Sequence, residues 1–579
     1  MQFRSKFSND LFLFGLCLFF CYTIPLHYHP YREFFNDGIV ILGLLLGFCY
    51  FAISPHAKFR IPSAVVMPIG LIVVIGLQAW NRLVLFPMDS FFPIVYLICF
   101  SFAIIYGSTI SSRPNGVAAL SNLFALVFLA TGICSVVIQH VQLFNLNFSP
   151  FVMPIEVVEN IRPFANVAQP NLMALIFCFS LVSVWYMYLM GKIKPVAAVS
   201  LPIILLWGLA LTQSRIGWII LPLYLILCWS QPVGRPKVSK IILILLSLLF
   251  IGMTIALPDI LAWFGILVHT AGEHAGQTSA RIEIWKSAWL TSELHPWFGA
   301  GWFQYGANQV ILATLLPPSE YSDYAHNIIL NFAAEIGWPF TLLIFISASY
   351  WFYICCIRRW GNIQHRFMSM MLIAIAVHSM VEFPLWYAII LIPFGVMVGA
   401  MHCEVLGCKT WTVARPVIIV FITACALFMG ALTWDYYRVM TGFVALVWQQ
   451  EGKKEGIGST VKPDFTFYPQ FYDYFAVAKI KIFPGMPKDD IQFLERTSIR
   501  FAFTPILQRV AMAYAYNQRA TEALQVIITV QHLHADEYPQ VYKNWESFAK
   551  KDPRFFNEIF KRMPKPETTE LLSDMSLGS

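Results

Sequence analysis

The chain has 579 residues, of which 58% are hydrophobic and 12% are charged, and its net charge is +7. A soluble protein carries about a quarter charged residues, so too few charges are present to cover a soluble surface of this size. The composition excludes a soluble enzyme, a disordered chain and a disulfide scaffold, and predicts a polytopic membrane protein. The basic residues follow the loops and form no patch for nucleic acid.

Charge divides the chain into two parts. Residues 1–434 contain 36 charged side chains, about 8%, whereas residues 435–579 contain 35, about 24%, which is an ordinary soluble density. We therefore predict a membrane body over 1–434 and a soluble helical domain over 435–579.

Thirteen apolar runs follow one another through the body. Because a helical span needs about 20 apolar residues, they predict an all-α polytopic protein with about 12–13 transmembrane helices. The runs are 11–26, 38–53, 63–80, 91–107, 117–138, 171–190, 195–211, 216–230, 241–257, 327–357, 367–380, 384–402 and 416–434.

Loop charge predicts the orientation. With the N-terminus inside, the cytoplasmic loops hold 15 basic residues and the short external loops hold four. This bias follows the positive-inside rule and places the C-terminal domain outside. Two long segments, 139–170 and 258–326, then lie on the same side as that domain. Within the domain, residues 508–533 predict two short helices joined near Asn517, similar to a tetratricopeptide hairpin.

Polar groups at span ends are costly and therefore mark candidate sites. Gln169 precedes Pro170 and should be extended, and Asn171 is a candidate cap of the following helix; a plain loop with a cap is the alternative. Arg215 lies in a tight turn and should face a polar cavity or an anion, unless it only extends along the membrane surface. Arg281 begins an amphipathic segment and could form a two-guanidinium clamp with Arg215 for a diphosphate; the alternative is a surface pair with Glu283 or Glu273.

Two histidines lie in further clusters of this kind. His326 follows Asp323 and is a candidate general base, with Glu335 about two and a half turns deeper; the alternative is a helix cap with a satisfied histidine. His378 and Glu382 are four residues apart and share a face if helical. His378 competes with His326 as the base, and Glu382, His378 or Asp323 could orient His326. Pro384 then breaks that helix, so a structural kink with a buried pair is the alternative.

No signature of metal, nucleotide or acyl-enzyme chemistry is present in the sequence. His269, Glu273 and His274 lack the spacing of a helical HExxH site, and there is no Walker loop, Gly-rich dinucleotide loop or GxSxG elbow. We therefore expect no metal or other cofactor and a substrate that arrives already activated.

These clusters resemble the O-antigen ligase-like superfamily of bacterial polytopic glycosyltransferases, and most closely its protein-modifying branch, the PglL-type O-oligosaccharyltransferases. The superfamily pattern corresponds to SARIEIWKSAW at 279–289 and AHNIILNFAAEIGWP at 325–339. The branch adds a Gln-Pro-Asn motif, here 169–171, and an HSMxExPLWY motif, here 378–387. Ala165 departs from the glycine expected before Asn166.

The resemblance implies that Arg215 and Arg281 bind the donor diphosphate, that His326 is catalytic, and that Gln169 and Tyr387 contribute to activity. The donor would be an oligosaccharide on undecaprenyl diphosphate, and the acceptor a Ser or Thr of a pilin or other periplasmic protein. The protein would then lie in the bacterial inner membrane. O-antigen ligation or Wzy-like polymerisation with the same donor is the closest alternative. A membrane transporter is a further alternative, but it would place ionisable groups near the midplane and often contains a repeat.

Overall fold

The computed structural model describes residues 9–53, 56–155, 161–230, 236, 238–266, 277–453 and 458–566. The weak metal candidate at His269, Glu273 and His274, and the last residues of the predicted C-terminal domain, lie outside these ranges. The described chain is almost entirely helical, which confirms the all-α polytopic prediction.

Sixteen helices form the body and its loops. They are α1 (Asn9–Thr23), α2 (Phe34–Cys49), α3 (Val66–Trp80), α4 (Phe91–Ser111), α5 (Gly116–Leu143), α6 (Pro170–Leu189), α7 (Pro195–Leu211), α8 (Ile216–Trp229), α9 (Lys240–Trp263), α10 (Gln277–Leu294), α11 (Tyr305–Leu312), α12 (Ile328–Ile336), α13 (Trp338–Cys355), α14 (Ile363–Ser379), α15 (Ala388–Leu406) and α16 (Arg415–Gln450). Six more form a C-terminal unit: α17 (Pro469–Lys479), α18 (Lys488–Arg500), α19 (Thr504–Tyr516), α20 (Ala520–Leu533), α21 (Tyr538–Lys551) and α22 (Pro553–Arg562).

The apolar runs of the sequence correspond to these helices, with one division. Eight segments of the described chain are long and apolar enough to cross a membrane, and four shorter apolar helices accompany them, so the chain is a multi-pass membrane protein. The predicted run 327–357 is two helices, because Gly337 adopts φ 82° and Pro339 follows it, which ends α12 and starts α13 in a new direction. The predicted boundary at residue 434 falls inside α16, which continues to Gln450.

The bundle has two distinguishable ends. At one end, strand β1 (His56–Ile61) pairs antiparallel with β2 (Lys409–Ala414), a small sheet that the sequence did not predict. We call this the sheet end. At the other, the loop end, α6, α8, α12 and α15 begin and α5, α7 and α14 finish. Since α15 has 19 residues, about 28 Å of helix separates the ends.

Two glycines allow the closest helix contact in the body, between α4 and α15. A Cβ at Gly399 would lie 1.9 Å from the carbonyl oxygen of Ile104, and one at Gly107 would lie 2.0 Å from that of Val396. Small residues permit such backbone approach between membrane helices, where dispersion contacts stabilise packing. This contact holds α15, and hence the start of α15 at the loop end, at a fixed distance from α4.

Aromatic side chains of α16 and of the segment that leads into the C-terminal unit pack on the loop end. The hydroxyl of Tyr436 donates to the backbone of the 28–31 segment, and its ring stacks on Phe34 with centroids 3.9 Å apart. Phe92 stacks on Tyr468 at 4.9 Å. Further along, α19 and α20 form the hairpin expected at residues 508–533. The segment before α17 therefore joins the C-terminal unit to the loop end of the bundle.

Candidate active site

The candidate site is built around Glu382, in the turn between α14 and α15. Its Oε1 accepts from Arg281 at 2.5 Å and from the Asn171 side-chain amide at 2.8 Å, and its Oε2 accepts from His326 Nδ1 at 3.0 Å. The turn forms because Pro384 prevents α14 from continuing, and Glu382 N still donates to His378 O at 2.8 Å as in one further helical turn. One carboxylate thus joins three segments that are far apart in sequence.

His326 is held in a backbone conformation that few residues adopt. Its φ is 50°, in the left-handed region, where a non-glycine residue in a sterically costly geometry often marks a functional position. The next residue, Asn327, caps α12 by accepting from two backbone amides, and its amide donates to Met380 O at 3.2 Å. This cap ties the start of α12 to the turn that carries Glu382.

The contacts of the imidazole indicate its tautomer. Because ionised Glu382 only accepts, Nδ1 of His326 carries the proton of that hydrogen bond, and in the neutral imidazole the lone pair is then on Nε2. Nε2 lies 3.2 Å from the hydroxyl of Ser322, which also makes a shorter 2.8 Å bond to Tyr324 O. The side chain of His326 is about one-fifth exposed. Nε2 is therefore suited to accept a proton from a hydroxyl that enters the site.

Three arginines surround the carboxylate. Burial lowers the pKa of Arg162 and of Arg215, and each is lowered further by its cationic neighbours, whereas Glu382 raises it. Arg215 begins α8 and is exposed, and Arg281 lies near the start of α10 with a quarter of its side chain exposed. Within the described ranges, the cluster therefore has more cationic groups than carboxylates and is suited to an anion.

The structure also shows how the carboxylate stays ionised. Burial alone would raise the pKa of Glu382, but the hydrogen bond and charge of His326, followed by the charge of Arg281, lower it below its usual value. An ionised Glu382 is the form that orients His326 and accepts from Arg281.

The Gln-Pro-Asn motif differs from the predicted capping pattern. Gln169 is extended, as expected, but it is also the residue that caps α6, accepting from Leu172 N. The prediction that Asn171 caps this helix is wrong, because its side chain instead bridges Glu382 and Ser214, whose hydroxyl donates to Asn171 Oδ1 at 2.7 Å. The motif therefore connects the start of α6 to the turn before α8.

Arg162 is a member of the cluster whose role the sequence did not indicate. Its Nε donates to Thr212 O at 3.1 Å and its Nη2 contacts Asn171 Oδ1 at 3.4 Å. Arg162 stands in the same polar run as the Gln-Pro-Asn motif, which is the signal that could have identified it.

The remaining candidates take different positions. His378 is buried beside the turn, and neither of its ring nitrogens has a hydrogen-bond partner among the described residues. Tyr387 starts α15, with its ring 5.8 Å from that of Phe383, which itself lies 5.1 Å from the His326 ring. Asp323 turns away from the histidine and pairs with Arg500 at 3.7 Å.

Contacts also show where Glu335 and Glu283 lie relative to the Glu382 cluster. Glu335 is a fully buried residue of α12. Its backbone oxygen accepts from Gln78 and from Gly301, and no described hydrogen bond connects it to Glu382 or His326. Glu283 pairs with Lys286 at 2.7 Å, whereas Arg281 pairs with Glu382. Glu273, the other predicted partner of Arg281, lies outside the described residues. In the described chain, Glu382 is therefore the carboxylate that contacts both Arg281 and His326.

Comparison with known proteins agrees with the motifs. Residues 201–346 match the family model described as O-antigen ligase, and residues 367–548 match the one described as virulence factor membrane-bound polymerase, C-terminal. Over these residues the chain is similar to the O-antigen ligase-like family. The first match contains Arg215, Arg281 and His326, and the second contains Glu382.

Two curated relatives from Acinetobacter baylyi are similar to the chain. A general O-oligosaccharyltransferase is 24% identical over a 514-residue alignment that covers 84% of this chain and 86% of the relative. A ComP-specific O-oligosaccharyltransferase is 25% identical over a 369-residue alignment that covers 60% of this chain and 63% of the relative. The first alignment therefore includes most of this chain.

Proposed function

We propose that the chain transfers an oligosaccharide en bloc from undecaprenyl diphosphate to Ser or Thr hydroxyls of pilin or other periplasmic proteins. The observation that carries this proposal is that Glu382 joins Arg281, on the anion-binding side, to His326, on the base side. The two relatives named O-oligosaccharyltransferase support a protein as the acceptor.

The arginines bind the leaving group. When the bond between the anomeric carbon and the diphosphate oxygen breaks, the electron pair and a negative charge move to the lipid diphosphate. Arg215 and Arg281 stabilise this charge, and guanidinium groups match phosphate oxygens in two-point contacts. Arg162 adds positive charge and, through Asn171, holds the turn before Arg215.

His326 activates the acceptor. Nε2 takes the proton of the Ser or Thr hydroxyl while its oxygen forms the new bond to the anomeric carbon. Glu382 accepts from Nδ1, so it keeps the imidazole in the correct tautomer and stabilises the imidazolium that results. The glycan is then bonded to the protein oxygen, the lipid diphosphate leaves with the electron pair, and the imidazolium releases its proton to that diphosphate or to water.

An apolar cavity beside the site supports a lipid-linked donor. It has a volume of about 1780 Å³ and reaches Met380, Phe383 and Tyr387 at the site. From there it extends between α2, α4, α13, α14, α15 and α16 toward the sheet end, where Phe48 and Phe352 line it. Such an apolar space suits a long hydrocarbon chain.

The loop charges support an inner-membrane orientation with the site outside. Lys58, Arg60 and Lys409 lie on the strands of the sheet end, which corresponds to a cytoplasmic position of that end. The N-terminus is then cytoplasmic, and the loop end and the C-terminal unit are periplasmic, where lipid-linked oligosaccharide and exported acceptors meet.

A second candidate is O-antigen ligation or polymerisation, which the descriptions of the two matching family models favour. It uses the same donor chemistry and differs in its acceptor, a lipid or glycan hydroxyl. Transport is less well supported, because the polar cluster lies at one end of the bundle rather than midway.

Intact-protein mass spectrometry of the periplasmic and pilin fractions, with and without the gene, separates these functions. We expect at least one protein to lose a mass equal to a whole oligosaccharide when the gene is removed, and to regain it when the gene is restored. Unchanged protein masses together with altered lipopolysaccharide banding would support the ligase or polymerase instead.

A further inference from the structure

The segment that leads to His326 is held by the C-terminal unit. Ser319 N donates to His532 O at 2.8 Å, and Tyr321 N donates to Leu533 O at 3.1 Å. A ring nitrogen of His532 lies 2.7 Å from Ala313 O. Residues 313–325, which we call the histidine loop, therefore take much of their shape from the end of α20.

Several ionic and ring contacts in this region involve Arg500, the last residue of α18. Its Nε pairs with Asp89 Oδ2 at 2.7 Å, at the start of the α4 span, and its Nη1 pairs with Asp323 Oδ1 at 3.7 Å, in the histidine loop. The guanidinium also lies 4.5 Å from the ring centroid of Phe303. One side chain thus joins the C-terminal unit, the membrane body and the histidine loop.

The two ion pairs of Arg500 differ in burial. The side chain of Arg500 is 8% exposed and that of Asp89 is fully buried, whereas that of Asp323 is 43% exposed. Burial alone would lower the pKa of Arg500, but the charges of Asp89 and Asp323 outweigh it and raise the pKa. A planar guanidinium can face both carboxylates at once, whereas a lysine ammonium is a single point of charge.

Asp323 lies three residues before His326, so a shift of the backbone at Asp323 also moves the imidazole of His326. Its neighbour Ser322 already contacts His326 Nε2, and Tyr321 donates to Asp323 Oδ1 at 3.1 Å. His326 also has the uncommon left-handed backbone, which persists only where the surroundings hold it. The histidine loop therefore needs a contact that fixes its conformation, and the ion pair between Arg500 and Asp323 is such a contact.

We propose that Arg500 is a positioning residue for His326, acting through Asp323 across the interface between the C-terminal unit and the membrane body. The inference rests on the proposed transfer reaction, in which His326 is the base. Arg500 touches no reacting atom, so its substitution should slow the transfer step and leave donor binding unchanged.

The test compares Asp323→Asn and Arg500→Lys with Arg519→Met in the purified full-length protein, using lipid-linked oligosaccharide and an acceptor protein. Arg519 is the matched control because it pairs with Glu495 and Glu522 inside the same unit and contacts no residue of the histidine loop in the described chain. We expect kcat to fall about tenfold in the first two variants and donor KM to stay within about twofold, since small displacements of a reacting group cost rate rather than binding. Arg519→Met should keep both values.

A wild-type kcat in both Asp323→Asn and Arg500→Lys would overturn the proposal, and so would a loss that appears only as a raised donor KM. Hydrogen exchange at residues 316–325 gives a second result that does not depend on activity. We expect faster exchange there in Asp323→Asn than in wild type or Arg519→Met, and equal exchange would contradict the inference. If wild-type protein transfers no glycan, the proposed function fails, and the exchange measurement still decides whether Arg500 and Asp323 hold the loop.

Discussion

Two ion-pair clusters lie close to His326, and they differ in charge balance and in exposure. At Glu382, within the described ranges, three arginines and a histidine surround one buried carboxylate, and Arg215 and Arg281 remain accessible. At Arg500, two carboxylates face one buried guanidinium; Asp89 is fully buried and Asp323 is 43% exposed.

This difference indicates a different role for each cluster. The Glu382 cluster has excess positive charge at an accessible surface, which suits an incoming diphosphate. The Arg500 cluster places a buried guanidinium between the fully buried Asp89 and the partly exposed Asp323, which suits a fixed connection between parts of the fold. Variants in the first should change transfer or donor use, whereas variants in the second should change the geometry of the loop.

The largest effect is expected for Glu382→Gln. The substitution removes the charge that orients His326 and stabilises its protonated form, so we expect kcat to fall at least about a hundredfold. Single-turnover transfer with saturating donor measures it. A Glu382→Gln variant with wild-type transfer would show that the base is not held in this way.

Next in size are Arg215→Met and Arg281→Met, each of which removes one guanidinium from the anion-binding side. We expect kcat/KM for lipid-linked donor to fall about tenfold to a hundredfold, as for loss of one preorganised group that stabilises developing charge. The matched control is Lys286→Met, on the same helix as Arg281 and paired outward with Glu283. If Arg215→Met and Arg281→Met both bind and use donor like wild type and like the control, the diphosphate binds elsewhere.

Arg162→Met should have a smaller effect of the same kind. Arg162 orients Asn171 and the turn before Arg215, so we expect kcat/KM for donor to fall about threefold to tenfold, as for loss of a charged hydrogen bond. Steady-state kinetics over a donor series measures it. An unchanged kcat/KM would mean that Arg215 and Arg281 bind the donor without Arg162.

The smallest predicted effect concerns pH. The pKa of Glu382 is lowered in the folded protein, so its contribution to stability is present above the ordinary carboxyl pKa and is lost as pH falls through the lower, folded value. We expect Glu382→Gln to melt roughly 2–5 °C below wild type at pH 7, with the same gap at pH 5.5. The gap should narrow below about pH 4. Melting curves in detergent at these pH values check the sign, and a gap that widens on acidification would contradict it.

Much of the fold follows from local sequence signals. Apolar runs located the helices because a span needs length and low charge, and the helix pair of residues 508–533 followed from its amphipathic period. The division at Gly337 was missed because a single glycine in an apolar run permits a break without requiring one. The paired strands at the sheet end depend on residues some 350 positions apart, which no local pattern reveals.

The site was only partly predictable, for a similar reason. Polar residues at span ends identified His326, Arg281 and Glu382 one by one, but their hydrogen bonds depend on how distant helices pack. Asp323 looked like a partner of His326 because it is near in sequence, yet the C-terminal unit supplies its cation instead. The resemblance to a family contributed the assignment of roles, which contacts alone do not provide.

The central claim is that this protein transfers glycan to protein with His326 as the base. The most direct test is transfer in liposomes that contain purified protein, lipid-linked oligosaccharide and an acceptor protein, followed by the intact mass of the acceptor. We predict that wild type adds one oligosaccharide to a Ser or Thr and that His326→Ala transfers about a hundredfold to ten-thousandfold more slowly, as expected for loss of a general base. Equal transfer by wild type and His326→Ala would contradict the account.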